Sequence, residues 1–155
     1  MYDSIEKICR KYGIENYTIN EDGSIDVYGN VDLRSKGLIE LPLNFNKVTG
    51  DFNCSSNKLT SLEFSPKEVG GSFYCSNNKL TNLYGISDNI NGLFYCYETP
   101  LGSIFNEVDM DFVRAFNSYR VIKDDKVVLK RLKYVMELFD MKYDLEKIKE
   151  HYEII

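Results

Sequence analysis

Between Val48 and Ile104 the same residue types return every 21 positions without insertion or deletion. The columns are Cys54, Cys75 and Cys96; Val48, Val69 and Ile90; Phe52, Phe73 and Phe94; Leu59, Leu80 and Leu101; and Leu62, Leu83 and Ile104. One step back they hold Val27, Val31, Leu33, Leu38 and Leu41, extending the pattern to four 21-residue units over 27–47, 48–68, 69–89 and 90–110. A repeat of this length restricts the chain to a stacked solenoid, because one unit cannot bury its own apolar edge and must share it with the next. Stacking leaves a broad face free for contact, which favours a binding protein over an enzyme.

The best-preserved stretch reads V-x-G-x-F-x-C-S-x-N-K-L-T-x-L, once from Val48 to Leu62 and again from Val69 to Leu83. This pattern resembles a leucine-rich repeat, with spaced apolar residues around a strand, then an Asn, then a further Leu. It is similar to the short units of bacterial effector-type repeats, and closer still to a group of small tailed-phage repeat proteins with helical ends. The register covers 84 of 155 residues. Lys36 and Thr99 replace the Asn, and Tyr97-Glu98-Thr99-Pro100 interrupts the fourth unit, as terminal repeats do. The resemblance implies a fold rather than a reaction. It also implies phage origin, with a host or defence protein as partner.

At 155 residues one domain is expected, able to build a core without metal or disulfide staples. Nineteen basic against 24 acidic residues give a net charge of −5, which disfavours nucleic acid as a general partner. The opening Met1-Tyr2-Asp3-Ser4-Ile5-Glu6 has no basic head before an apolar run, and no stretch approaches the ~18 apolar residues of a membrane span. A soluble, cytoplasmic protein is expected, in the host cytoplasm if phage-encoded, with no membrane partner. Three of the four cysteines share one column, so their side chains project in parallel and do not meet for a disulfide. Their spacing also lacks the close pairs of a zinc site, and Cys9 and His151 stand at opposite ends. Buried thiols are expected, without metal or cofactor.

The fold class that follows is α+β: a short leucine-rich-repeat-like β-solenoid of four units between two caps, all one structural domain. Residues 1–26 form the N-terminal cap. Ile5, Ile8, Cys9 and Tyr12 recur at helical spacing after Ser4, with Gly13 as a stop, and Asp22-Gly23 turns a hairpin between 17–20 and 24–28. That hairpin covers the open edge of the first repeat strand. The repeats occupy 27–110. From 111 to 155 the chain becomes a mainly helical cap: a short helix around Phe112, Val113 and Phe116, a turn at Asp124-Asp125, an amphipathic helix over 127–139, and a last helix after Asp144.

Alternation from Val48 to Cys54 predicts one strand per unit with Val48, Phe52 and Cys54 inward. Gly50, Gly71 and Gly92 are read as architectural, permitting close packing or a bulge. Asn57 and Asn78 are expected to bond backbone groups where the chain turns, and the return arms, carrying Pro42 and Pro66, to be irregular or 3₁₀.

The same alternation turns Asp32, Asn53, Tyr74, Tyr95 and Tyr97 outward, a surface grading from charged to aromatic. Tyrosine suits a protein interface because its ring buries area while its hydroxyl stays hydrogen-bonded. The competing role is packing of Tyr74 and Tyr95 against each other on adjacent strands. A second candidate surface is basic: Lys126, Lys130, Arg131 and Lys133, placed to meet an acidic partner or phosphates unless they simply form the solvated face of their helix. No nucleophile elbow, phosphate loop or zinc-protease pattern is present, and His151 reads as a surface residue. The leading expectation is a non-enzymatic protein-interaction module. The alternatives are a nucleic-acid- or phosphate-binding accessory protein using the basic helix, and an enzyme whose site the sequence does not display.

Overall fold

In the computed structural model, residues 2–155 are described, with side chains from Ser4 onward. The repeat region is a β-solenoid of about three turns, built from two sheets of short strands rather than one. On one side the order is β1 (Tyr17–Ile19), β2 (Ile25–Val27), β4 (Phe45–Val48), β6 (Glu68–Val69) and β8 (Asn89–Ile90). On the other the order is β3 (Val31–Asp32), β5 (Phe52–Asn53), β7 (Phe73–Tyr74), β9 (Phe94–Tyr95) and β10 (Glu107–Val108). Strands β2 to β8 and β3 to β9 run parallel, pairing Val48 with Val69, Phe52 with Phe73 and Phe73 with Phe94 at the offset read from the sequence.

The run from Val48 to Cys54 is therefore not one strand. It bends between Val48 and Phe52, and the glycine column sits at the bend. A Cβ on Gly71 would overlap the Asp51 carboxylate and crowd the backbone of Gly50. The residue after each bend explains the crowding. Asn30 Oδ1 accepts from Asp51 N (2.8 Å), Asp51 Oδ1 from Ser72 N (2.8 Å), and Ser72 Oγ from Leu93 N (3.1 Å). Side-chain oxygens thus supplement the backbone ladder at the corner, where Gly71 N also donates to Gly50 O (2.9 Å) and Gly92 N to Gly71 O (2.8 Å).

A second corner follows the β3/β5/β7/β9 sheet. Ser35, Ser56, Asn77 and Glu98 share a column and all have positive φ, between 52° and 56°. The adjacent asparagine holds this left-handed turn in place. Asn57 Oδ1 accepts from the backbone N–H of Lys36 and Leu38 (both 3.0 Å), while its Nδ2 donates to the carbonyls of Leu33 and Cys54 (both 2.9 Å). Asn78 repeats the device one turn on, accepting from Leu59 N (2.9 Å) and donating to Cys54 O and Cys75 O (both 3.0 Å). Thr99 closes the column with its hydroxyl donating to Cys96 O (2.6 Å).

Inside the two sheets, Phe45, Phe52, Phe73 and Phe94 form a continuous aromatic column with successive centroids 5.2, 5.1 and 5.5 Å apart. The valine, leucine and cysteine columns are buried around it. At the start, α1 (Tyr2–Tyr12) begins ahead of Ser4 and ends at Gly13 with φ +66°, and it buries Ile5 and Cys9. Strand β1 pairs antiparallel with β2 at one end of its sheet, and β3 is an edge strand of the other sheet. The last unit does not complete a turn. After Tyr95 the chain passes through a 3₁₀ turn (Leu101–Ser103), and β10 returns antiparallel to β9.

The C-terminal cap comprises α2 (Met110–Ser118), a hairpin of β11 (Ile122–Lys123) and β12 (Lys126–Val127), α3 (Leu129–Leu138) and α4 (Leu145–Lys149), whose first turn Asp144 caps. Its core continues the apolar interior through Phe105, Phe112, Phe116 and Phe139. Tyr152 ties the end of the chain back to the solenoid by donating to Thr81 O (2.8 Å).

Two stability outcomes follow from this packing. Phe73→Ala, which removes the middle ring of the column, is expected to cost ~3–5 kcal/mol in denaturant unfolding. An unchanged midpoint contradicts the column. Asn78→Ala is expected to cost more than Asn57→Ala, because Asn78 is buried and its stranded backbone partners lose ~1–3 kcal/mol each without water to replace it. The reverse order contradicts the ladder.

Candidate binding surface

The register that stacks the phenylalanines inward stacks the intervening residues outward. Asp32, Asn53, Tyr74 and Tyr95 stand opposite one another on β3, β5, β7 and β9. Glu107 continues the row on β10, directly across from Tyr95. The result is a straight line across the sheet, acidic at both ends and aromatic at the centre.

Tyr74 and Tyr95 stack with centroids 4.7 Å apart and planes 3° from parallel. Tyr97 lies beyond, 6.5 Å from Tyr95 and 44 % exposed. Its hydroxyl donates to Glu107 Oε2 (3.0 Å), which holds the phenol protonated and raises its pKa. Desolvation in the stack, with Glu107 nearby, raises Tyr95 as well. Both hydroxyls are therefore neutral donors at physiological pH. Asn53 is half-buried, with Oδ1 accepting from Ser55 N (3.0 Å). Asp32 is exposed on the open edge strand and paired bidentately with Arg34, at 2.9 Å to Nε and 2.7 Å to Nη2. An exposed pair of this kind adds little stability, but its charges discourage another strand from adding to β3.

The neighbouring outward positions are already used. Asp51 and Ser72 serve the corner ladder, and Asp32, Asn53 and Glu107 are each engaged locally, so among the described residues the Tyr74 and Tyr95 hydroxyls are the groups of this row left without a hydrogen bond. Glu107 escapes the repeat pattern because it arrives on an antiparallel strand, where the 21-residue relation does not hold.

The basic candidates divide. Lys126 lies on β12, ahead of the helix, and pairs with Glu153 (2.9 Å). Lys130, Arg131 and Lys133 lie on α3, and Arg131 Nη1 donates to Arg120 O (3.1 Å). The sequence gives no sign of what faces them: Tyr119, from the end of α2, packs on Tyr134 with centroids 4.9 Å apart.

All four cysteines are free and buried. Cys54 and Cys75 thiols point at the carbonyls of the next turn, Tyr74 O (3.5 Å) and Tyr95 O (3.2 Å). Burial pushes the Cys54 and Cys96 thiols up to about 12 and Cys75 well above its ordinary value. Among the described residues, no three His, Cys, Asp or Glu side chains gather to hold a metal ion, and no helix is long and apolar enough to cross a membrane. His151 is exposed. Comparison with protein-family models, with curated proteins and with solved structures gave no match.

Thiol chemistry tests the interior. Since alkylation needs the thiolate, Cys54, Cys75 and Cys96 are expected to resist iodoacetamide in the native protein at pH 8, and all four cysteines to be labelled after unfolding without reductant. Rapid native labelling of the column, or fewer than four labels after unfolding, contradicts the buried, unlinked arrangement.

Proposed function

We propose that the chain is a non-enzymatic protein-interaction module whose contact surface is the tyrosine row on β7 and β9 with its acidic flanks. The Tyr74–Tyr95 stack carries this reading, being half-buried, rigid and central in its row. Rings stacked on each other turn edges and hydroxyls outward rather than faces. A ligand that needs a free ring face, such as a base or a sugar, gains little there. A protein surface packs against ring edges and bonds to hydroxyls, and a stacked pair loses little side-chain entropy on binding. The mechanism is occlusion: the partner's surface is covered rather than altered.

In the same reading the chain is a four-unit, leucine-rich-repeat-like protein of phage origin, acting in the host cytoplasm on a host or defence protein. That step rests on the resemblance of the Val48–Leu62 and Val69–Leu83 stretches, not on the site.

The test is capture of the partner by three folded versions of the chain: the natural one, Tyr74→Ser with Tyr95→Ser, and Lys130→Glu with Lys133→Glu. The tyrosine double variant is expected to lose ~2 kcal/mol or more of binding, as central interface aromatics do. Reversing the lysines is expected to alter mainly the salt dependence of association. Unchanged capture by the tyrosine variant, with capture abolished in the lysine variant, rejects the strand face and assigns recognition to α3.

A further inference from the structure

The C-terminal cap carries a second surface of different chemistry. A groove of about 540 Å³ runs between Tyr119 and the outer side of α3, lined by Tyr119, Lys130, Arg131, Lys133, Tyr134 and Glu137. That volume falls in the range of ~300–1,000 Å³ common for small-molecule sites. Tyr119 and Tyr134 are 42 % and 49 % exposed, and their planes are 57° apart, so the pair is tilted rather than stacked flat. Aromatic surface is accessible here.

The charge is equally particular. Three cations and one carboxylate line the groove, a local excess of two positive charges on a chain of net −5. Arg131 is anchored on Arg120 O. Among the described residues, the ammonium groups of Lys130 and Lys133 have neither hydrogen bond nor ion pair, and Glu137, one turn beyond Lys133, does not pair with it. These cations also crowd the start of α3, which has no acidic residue in its first turn and no side-chain cap. Like charge at the positive end of a helix dipole is unfavourable, and an anion in the groove relieves it.

We propose that this groove binds a compact ligand made of an aromatic ring and a phosphate monoester, the ring against Tyr119 and Tyr134 and the phosphate held by Lys130, Arg131 and Lys133. A monoester carries roughly −1.5 to −2 charges at neutral pH, matching the local excess where a single carboxylate does not. A long polyanion fits poorly, because the adjoining groove along α3 brings Glu137 and Asp140 into its path. Ring stacking tolerates many aromatic systems, so the same chemistry is offered by a nucleotide or by a phosphorylated tyrosine. This inference stands on other residues than the tyrosine row and does not depend on it.

Calorimetric titration of the full chain tests it, using adenosine monophosphate and phosphotyrosine as probes and inorganic phosphate, adenosine and tyrosine as controls. At least one ring phosphate is expected to bind saturably, at least ~10-fold tighter than its separate parts, since stacking and charge-assisted bonds contribute together. Which of the two binds identifies the source. Lys130→Ala with Lys133→Ala, and separately Tyr134→Ala, are each expected to weaken that binding about 10-fold, while Tyr134→Phe, which keeps the ring, retains it. All of these positions are exposed, and circular dichroism verifies that each variant is folded. The proposal is overturned if neither ring phosphate saturates at concentrations on the order of 1 mM, if inorganic phosphate binds as tightly as either, or if Tyr134→Ala leaves binding unchanged.

Discussion

Everything in this fold depends on each turn offering its backbone to the next at a fixed offset of 21 residues. Backbone hydrogen bonds set that offset along the strands, as between Phe52 N and Ser72 O (3.0 Å), and continue through the glycine corner, as between Gly71 N and Gly50 O (2.9 Å). At the corners side chains add to these bonds: Asn30, Asp51 and Ser72 at one, Asn57 and Asn78 at the other. A slip of one residue would turn the phenylalanine column outward and bring Asn53 and the tyrosines inside. Stability and surface are therefore set by the same constraint.

That constraint also explains the character of the outer face. Since equivalent positions always stack, substitutions down one column make a row whose chemistry changes step by step while its geometry stays fixed. Asp32, Asn53, Tyr74 and Tyr95 are such a row. The two tyrosines stack because the register places them one strand apart, whether or not a partner uses them. In the proposed interface their contribution is order: an aromatic pair already stacked loses less freedom when a partner covers it. The ends of the solenoid are handled separately. Antiparallel β1 and β10 each cap one sheet, and the charged Asp32–Arg34 pair guards the open edge at β3.

Much of this was legible in the sequence because periodicity reports directly on stacking. The inward columns, the use of Asn57 and Asn78 at a turn, and the Asp144 cap all follow from local pattern and known side-chain habits. The two-sheet cross-section was not legible. Strands only two residues long leave too little alternation to show where one ends, so Val48 to Cys54 read as continuous although Gly50 marks a corner. The left-handed column of Ser35, Ser56, Asn77 and Glu98 was hidden for another reason: no glycine announces it, and its conformation is held by an asparagine in the next column. Surfaces fared unevenly. The row from Asp32 to Tyr95 follows from the repeat, whereas Glu107 and the Tyr119–Tyr134 pair come from a reversing strand and a helix contact that have no period.

The most direct test of the central claim is removal of one whole turn. Deleting residues 48–68 joins Lys47 to Val69 and leaves each column in register, so the shortened chain is expected to unfold cooperatively in denaturant, with lower stability because one layer of core is gone. A deletion one residue longer or shorter breaks every column after the junction and is expected to leave no cooperative transition. If the in-register deletion is as disordered as its neighbours, or if all three fold equally well, the 21-residue register does not organise this protein.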